Sequence, residues 1–177
     1  ARNNEKWMAT SLNMQGVSFA IRDNQEKALE YYSKSLAIKK ELRDKKGMGD
    51  SYNNIGLIYE EQGNYDKALE YYSKTLAIDK EIDNKNGMGI SYNNIGLVYK
   101  DQGNYEKALE YYLKSLVIVK KLGQKKGIAS SLSSIGFLYK EKANYEKALS
   151  YFLKSKNIKQ EINTIENLDE TLEALSE

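Results

Sequence analysis

The chain has no cysteine, no proline and no histidine, and each absence closes off a class of protein. At an average usage of about 5% a chain of this length would hold roughly nine prolines, so their absence argues against a loop-rich or sandwich-type fold and for helices throughout. Without cysteine there is no disulfide framework, no thiolate nucleophile and no cysteine-based zinc or iron–sulfur site. Without histidine the commonest general acid/base and metal ligand is missing. One-sided charge is missing too: 27 Lys and Arg face 25 Asp and Glu, a formal charge of +2. That leaves neither a polybasic nucleic-acid footprint nor an acidic tail. No apolar run approaches the ~18 residues of a membrane span, and no signal peptide is visible. No metal and no cofactor is expected, no nucleic acid or membrane partner, and a cytoplasmic setting is the default.

What is present is a repeat. Ser51-Tyr52-Asn53-Asn54-Ile55-Gly56-Leu57 recurs as Ser91-Tyr92-Asn93-Asn94-Ile95-Gly96-Leu97, and Asn64-Tyr65-Asp66-Lys67-Ala68-Leu69-Glu70-Tyr71-Tyr72 recurs from Asn104 to Tyr112. Weaker copies stand on either side, around Ser11 to Gly16 with Gln25 to Tyr32, and around Ser131 to Gly136 with Tyr145 to Phe152. A period of about 40 residues belongs to helical solenoids. Four units, at approximately 7–43, 47–83, 87–123 and 127–161, make a single array over 1–177.

Within one unit Tyr52, Ile55 and Tyr59 fall at i, i+3 and i+7, one face of a helix. Gly63 ends it and Asn64 caps the next, with Asp66 in its first turn. Ala68, Leu69, Tyr72 and Leu76 form the apolar stripe of that second helix, while Lys67, Lys74 and Lys80 are left for solvent. The stretch Asp83 to Gly87 reads as the turn to the next unit. Each unit is a helical hairpin. Gly56 and Ala68 are small where the two helices must approach closely, with Tyr72 and Tyr59 filling the space around them. These two tyrosines are then packing residues, with a Tyr-rich cofactor or stacking surface as the remoter alternative.

These residues resemble the tetratricopeptide repeat. Tyr52, Ile55-Gly56, Tyr59, Gly63-x-Tyr65, Ala68, Tyr72 and Thr75 match its pattern in order, as do Tyr92, Ile95-Gly96, Tyr99, Gly103-x-Tyr105, Ala108, Tyr112 and Ser115. Two departures stand out. Lys80 and Lys120 replace the family's usual proline, and the period exceeds the usual 34. Both resemble the long-repeat subclass of kinesin light chains, LGN-type scaffolds and bacterial signalling proteins. The resemblance implies an all-α fold: an α-α superhelix of four hairpins, here with a C-terminal capping helix at about 164–176.

By the same resemblance the first helices line a concave groove. The groove then receives Asn13, Asn53, Asn93 and Ser133 in one row, Met14, Asn54, Asn94 and Ser134 in the next, and Val17, Leu57, Leu97 and Phe137 in a third. An Asn amide offers an acceptor and two donors, so it can pair with an extended peptide backbone whatever the peptide's side chains are. Such bonds contribute about 0.5–1.5 kcal/mol each, and a row of them over apolar pockets can reach the ~8 kcal/mol of micromolar affinity. The competing reading is that the Asn residues bond between adjacent helices and set the superhelical pitch, most of all Asn54 and Asn94. Some family members grip a C-terminal carboxylate with paired Lys and Arg. The matching positions here are Asn13, Val17, Asn54, Ile90 and Asn94, so that clamp is missing. The groove edge carries Asp50, Glu60, Glu61, Lys100, Asp101, Lys140 and Glu141, which suits a ligand with a basic residue opposite the second unit.

The ends differ from the middle. Ser18 stands where Ile58, Val98 and Leu138 stand later, Gln15 replaces an Ile, and Lys156-Asn157 replaces the earlier Leu-Ala and Leu-Val pairs. Polar terminal units keep a solenoid soluble. Ala1 to Met8 aligns with Glu41 to Met48, which leaves room for a preceding unit, and Asn163-x-x-Glu166 reads as a capping box before Leu168, Leu172 and Leu175. No phosphate loop, metal-spaced acidic loop or nucleophile elbow is present. The expected function is a non-catalytic module that binds a protein or linear peptide, within a larger bacterial signalling or scaffold protein. Small secreted regulatory peptides are implied as ligands by the resemblance alone. The alternative is a spacer, or homo-oligomerisation through the array ends.

Overall fold

The computed structural model describes the backbone of residues 2–176 and the side chains of residues 2–163. Eight helices follow one another: α1 (Arg2–Ile21), α2 (Gln25–Glu41), α3 (Lys45–Glu61), α4 (Tyr65–Glu81), α5 (Lys85–Asp101), α6 (Tyr105–Lys121), α7 (Lys125–Glu141) and α8 (Tyr145–Ser176). They pair as hairpins, α1 with α2 through α7 with α8, and the second helix of each hairpin packs on the first helix of the next.

Three residues separate each helix from the next, and their chemistry explains the sharp boundaries. The middle residue is left-handed in every turn among the described residues: Gly63, Gly103 and Gly123 where glycine is available, and Asp23, Arg43, Asp83 and Ala143 elsewhere. The third residue starts the next helix. Asn64 accepts from the Lys67 N–H and Asn104 from the Lys107 N–H, as N-cap residues do. The turn expected from Asp83 to Gly87 is shorter than that, because Asn84 accepts from the Gly87 N–H and the helix already begins at Lys85. Asp44 caps α3 in the same way, whereas Gln124 makes no side-chain cap bond.

Inside each hairpin a glycine lies under an aromatic ring. A Cβ on Gly16, Gly56, Gly96 or Gly136 would meet Tyr32, Tyr72, Tyr112 or Phe152 at 2.6–2.8 Å, so only glycine admits that approach. A hydroxyl ties the same two helices: Ser35 donates to the Ala9 carbonyl at 2.7 Å, Thr75 to Gly49, Ser115 to Gly89 and Ser155 to Ala129. Between hairpins lie three apolar cores, centred on Tyr32 with Ile55, on Tyr72 with Ile95, and on Tyr112 with Ile135. Burying a side chain such as Leu138 completely stabilises the fold by about 1.5–3 kcal/mol.

The ends expose the polar residues singled out in the sequence, but also the apolar Trp7, Ile21, Tyr145 and Leu149. Ser18, Gln15, Lys156 and Asn157 are exposed, whereas Ile58, Val98 and Leu138 are buried. At the C-terminus the helix expected over 164–176 is the continuation of α8 without a break. Asn163 therefore lies inside a helix and does not cap one. The side chains of Glu166, Leu168, Leu172 and Leu175 lie outside the described residues.

Candidate functional site

The first helices meet one another directly through the two rows of amides. Asn54 on α3 donates through Nδ2 to Oδ1 of Asn13 on α1 at 3.3 Å, and Asn94 on α5 donates to Asn53 on α3 at 3.0 Å. Ser134 on α7 closes the series by donating to Asn93 at 3.2 Å. Each bond runs between residues 41 apart in sequence, from one hairpin to the one before it. The sequence places these residues in two parallel rows; the structure zips the rows together. The inter-helix bond expected for Asn54 and Asn94 is therefore made, and its acceptors are Asn13 and Asn53. Pairing uses one acceptor site or one N–H of each amide, and an asparagine has more than that to offer.

The third row lies one turn further along. Val17, Leu57 and Phe137 are exposed and Leu97 is half-buried. Phe137 sits edge-on against Phe152, ring centroids 5.0 Å apart. Ser133 bonds Ser155 at 2.8 Å, so the fourth hairpin continues the row with hydroxyls already engaged. The rim charges divide into two groups. Glu60 accepts from the Tyr72 hydroxyl at 2.6 Å, Lys100 pairs with Asp101 at 2.9 Å, and Glu61 accepts from Gln25. Burial pushes the Glu60 carboxyl up, against the opposing pull of that hydroxyl, and burial together with Glu60 pushes the Tyr72 phenol up. Asp50 stands apart from these, about three turns before Glu60 on α3, and lines a cavity of ≈ 400 Å³ with Asn13, Asn53 and Asn54.

The repeat architecture is now specified residue by residue, and the tetratricopeptide repeat model matches residues 7–81 and 87–161. The chain is a tetratricopeptide repeat protein. Such repeats are generally protein-interaction modules. No curated protein matches the chain. Among solved structures, BtubC (BKLC) from P. vanneervenii is similar at 20% identity and TM-score 0.78, over 88% of this chain and 64% of that one. The apo form of RapI is similar at 22% identity and TM-score 0.78, over 87% of this chain and 43% of RapI. A signal transduction ATPase with numerous domains, a protein with a tetratricopeptide repeat sensor from Pyrococcus horikoshii, is similar at 25% identity and TM-score 0.80, over 92% of this chain and 25% of its own. This tetratricopeptide array thus spans under two thirds of each of these chains. Among the described residues no helix is long and apolar enough to cross a membrane, and no group of three potential metal ligands gathers.

What the sequence did not reveal is a buried polar layer beneath the groove. Lys39, Ser51, Asp79, Ser91, Ser115 and Ser131 are all buried. The Lys39 ammonium donates to Ser51 at 2.9 Å. Burial holds its pKa below the ordinary lysine value, while Asp50 and Asp44 oppose that shift. The available signal was the serine recurring every 40 residues at 51, 91 and 131.

Proposed function

We propose that this array is a non-catalytic module that binds an extended protein or peptide segment in the groove of its first helices, within a larger bacterial signalling or scaffold protein in the cytoplasm. The observation that carries this reading is the continuous row of amides beside an apolar row. Asn13, Asn53, Asn93 and Ser133, with Asn54, Asn94 and Ser134, supply backbone-directed hydrogen bonds; Val17, Leu57, Leu97 and Phe137 supply exposed apolar surface. Neighbouring helices ~8–10 Å apart and a strand rise of ~3.3 Å per residue match each hairpin to about three ligand residues. Neither nucleic acid nor a membrane is a partner in this reading.

The inter-hairpin bonds supply a clean test. Asp in place of Asn93 keeps the oxygen that Ser134 bonds, but removes the outward N–H donors. Peptides selected from a random ten-residue display library on the wild-type chain should bind Asn93→Asp about threefold to tenfold more weakly, at unchanged helical circular dichroism. Unchanged affinity overturns the groove reading.

A spacer or self-association role is the second reading, supported by the exposed apolar side chains at both ends, Trp7 and Ile21 on α1 and Tyr145 and Leu149 on α8. Stacking in the register of the internal hairpins meets an obstacle. Trp7 stands where Gly47, Gly87 and Gly127 stand later, and even a Cβ at Gly127 would lie 2.9 Å from Val119. Light scattering across a dilution series should return a monomer; a concentration-dependent mass would support end-to-end association.

A further inference from the structure

The cavity of ≈ 400 Å³ between hairpins 2 and 3 is of a size that takes ligand groups, and its interior differs from the rest of the groove. Asp79, only 4% exposed, lines it together with Asp50, and Lys46 is its one basic residue. The lining therefore carries one net negative charge. The Asp79 carboxylate accepts from Asn84 Nδ2 at 2.7 Å and from Ser91 Oγ at 3.2 Å. Both donors are neutral, and Asp79 belongs to none of the ion pairs among the described residues. A buried charge met only by neutral donors keeps a large part of its desolvation cost. An arriving cation recovers that cost.

The chain contains its own precedent one hairpin earlier. At the position equivalent to Asp79 stands Lys39, and its buried ammonium rests on Ser51, with Asp44 and Asp50 as the nearby carboxylates. There the protein supplies the cation; at the next junction Asp79 takes its place, Asn84 and Ile90 stand where Asp44 and Asp50 stood, and the carboxylate across the cavity is that same Asp50. One junction further the position is Val119, and Ile90 stands where Asp50 stood. The charge is thus specific to one junction. Gly87 makes room for it, since a Cβ there would lie 2.3 Å from Asp79 Oδ1.

We propose that this cavity receives one cationic side chain, a lysine or arginine of the bound extended segment, with its charge met by Asp79 and Asp50. The proposal rests on the groove reading above and adds a fixed point to it. The amides accept any peptide backbone, whereas the pocket sets the register in which the peptide lies. Asn13, Asn53 and Asn54 line the same cavity, so the backbone bonds and the charged contact fall within one hairpin's span.

The probe is a display library of random ten-residue peptides, selected on the wild-type chain and on Asp79→Asn. Peptides selected on the wild type should share Lys or Arg at one position. Replacing that residue by Gln should weaken binding to the wild type about 30-fold or more, and binding to Asp79→Asn less than threefold. Selected peptides with no cationic position, or an equal loss on both proteins, overturn the proposal and leave the groove reading standing. A library that yields no binder to the wild type overturns both. If Asp79→Asn loses its helical signal, the exposed Asp50→Asn takes its place in the same comparison, with the same outcomes decisive.

Discussion

Between hairpins 2 and 3 the buried side chain at position 79 is a carboxylate held by Asn84 and Ser91. Between hairpins 3 and 4 the equivalent side chain is Val119, packed close over Gly127. The two junctions share their backbone course and helix lengths, and both close over a tyrosine-centred core, Tyr72 in one and Tyr112 in the other. The difference teaches that the hairpin is the structural unit and the junction is where the chemistry varies. Gly under an aromatic ring and hydroxyl on carbonyl recur in each hairpin, while the equivalent junction position is Lys39, Asp79 or Val119.

That distinction can be broken most forcefully from inside a hairpin. Tyr112→Ala empties the space over Gly96 and should cost about 3–5 kcal/mol in urea unfolding, with one cooperative transition for both junctions. A loss under 1 kcal/mol would mean that the hairpin interior is not what holds the array. Next in size is Val119→Asp, which gives the neutral junction a carboxylate without the Asn84 donor. A loss of about 1–3 kcal/mol is expected by the same measurement; a neutral result would show that the Asp79 surroundings are not specially built. Gln124→Asn should act in the opposite direction. It supplies the cap bond that Asn84 makes and Gln124 does not, and a gain of about 0.5–1 kcal/mol follows from N-cap energetics.

The smallest effect concerns the other rim. Tyr72 donates to Glu60 in hairpin 2, whereas the equivalent of Glu60 in hairpin 3 is Lys100, paired with Asp101. Burial raises the Glu60 carboxyl above its ordinary value of 4.5, so the folded chain holds that proton more tightly than the unfolded one. Its stabilising contribution is full below that value and is lost as pH rises through the raised one. Glu60→Gln should remove this decline. Urea midpoints at several pH values from 4 to 8 measure it, and parallel profiles for the two proteins would show that Glu60 is not the source.

Much of this was legible in the sequence because a repeat multiplies its own evidence. A 40-residue period, a glycine beside Asn at the turn inside each middle hairpin, and Tyr72 or Tyr112 opposite Gly56 or Gly96 specify hairpins and their closest contacts from local rules alone. The polar residues that set the first unit apart were legible for the same reason: Ser18 breaks a pattern that Ile58, Val98 and Leu138 define. The turn from Ile82 to Asn84 was less so, because Asn, Asp and Gly serve equally in a turn and in a helix's first residues.

The sequence by itself determined the helices, their pairing and the main apolar side chains that pack, since these follow from spacing along one chain. Only the tertiary structure decided which partners polar side chains take. Asn54 reaches Asn13 and Asn94 reaches Asn53 across hairpins, and Asp79 finds Ser91 from the helix before. Those bonds depend on where helices 41 or 12 residues apart lie against one another to within an ångström. Periodicity fixes the face a residue occupies; hydrogen bonding requires the distance, and that is set only when the hairpins stack.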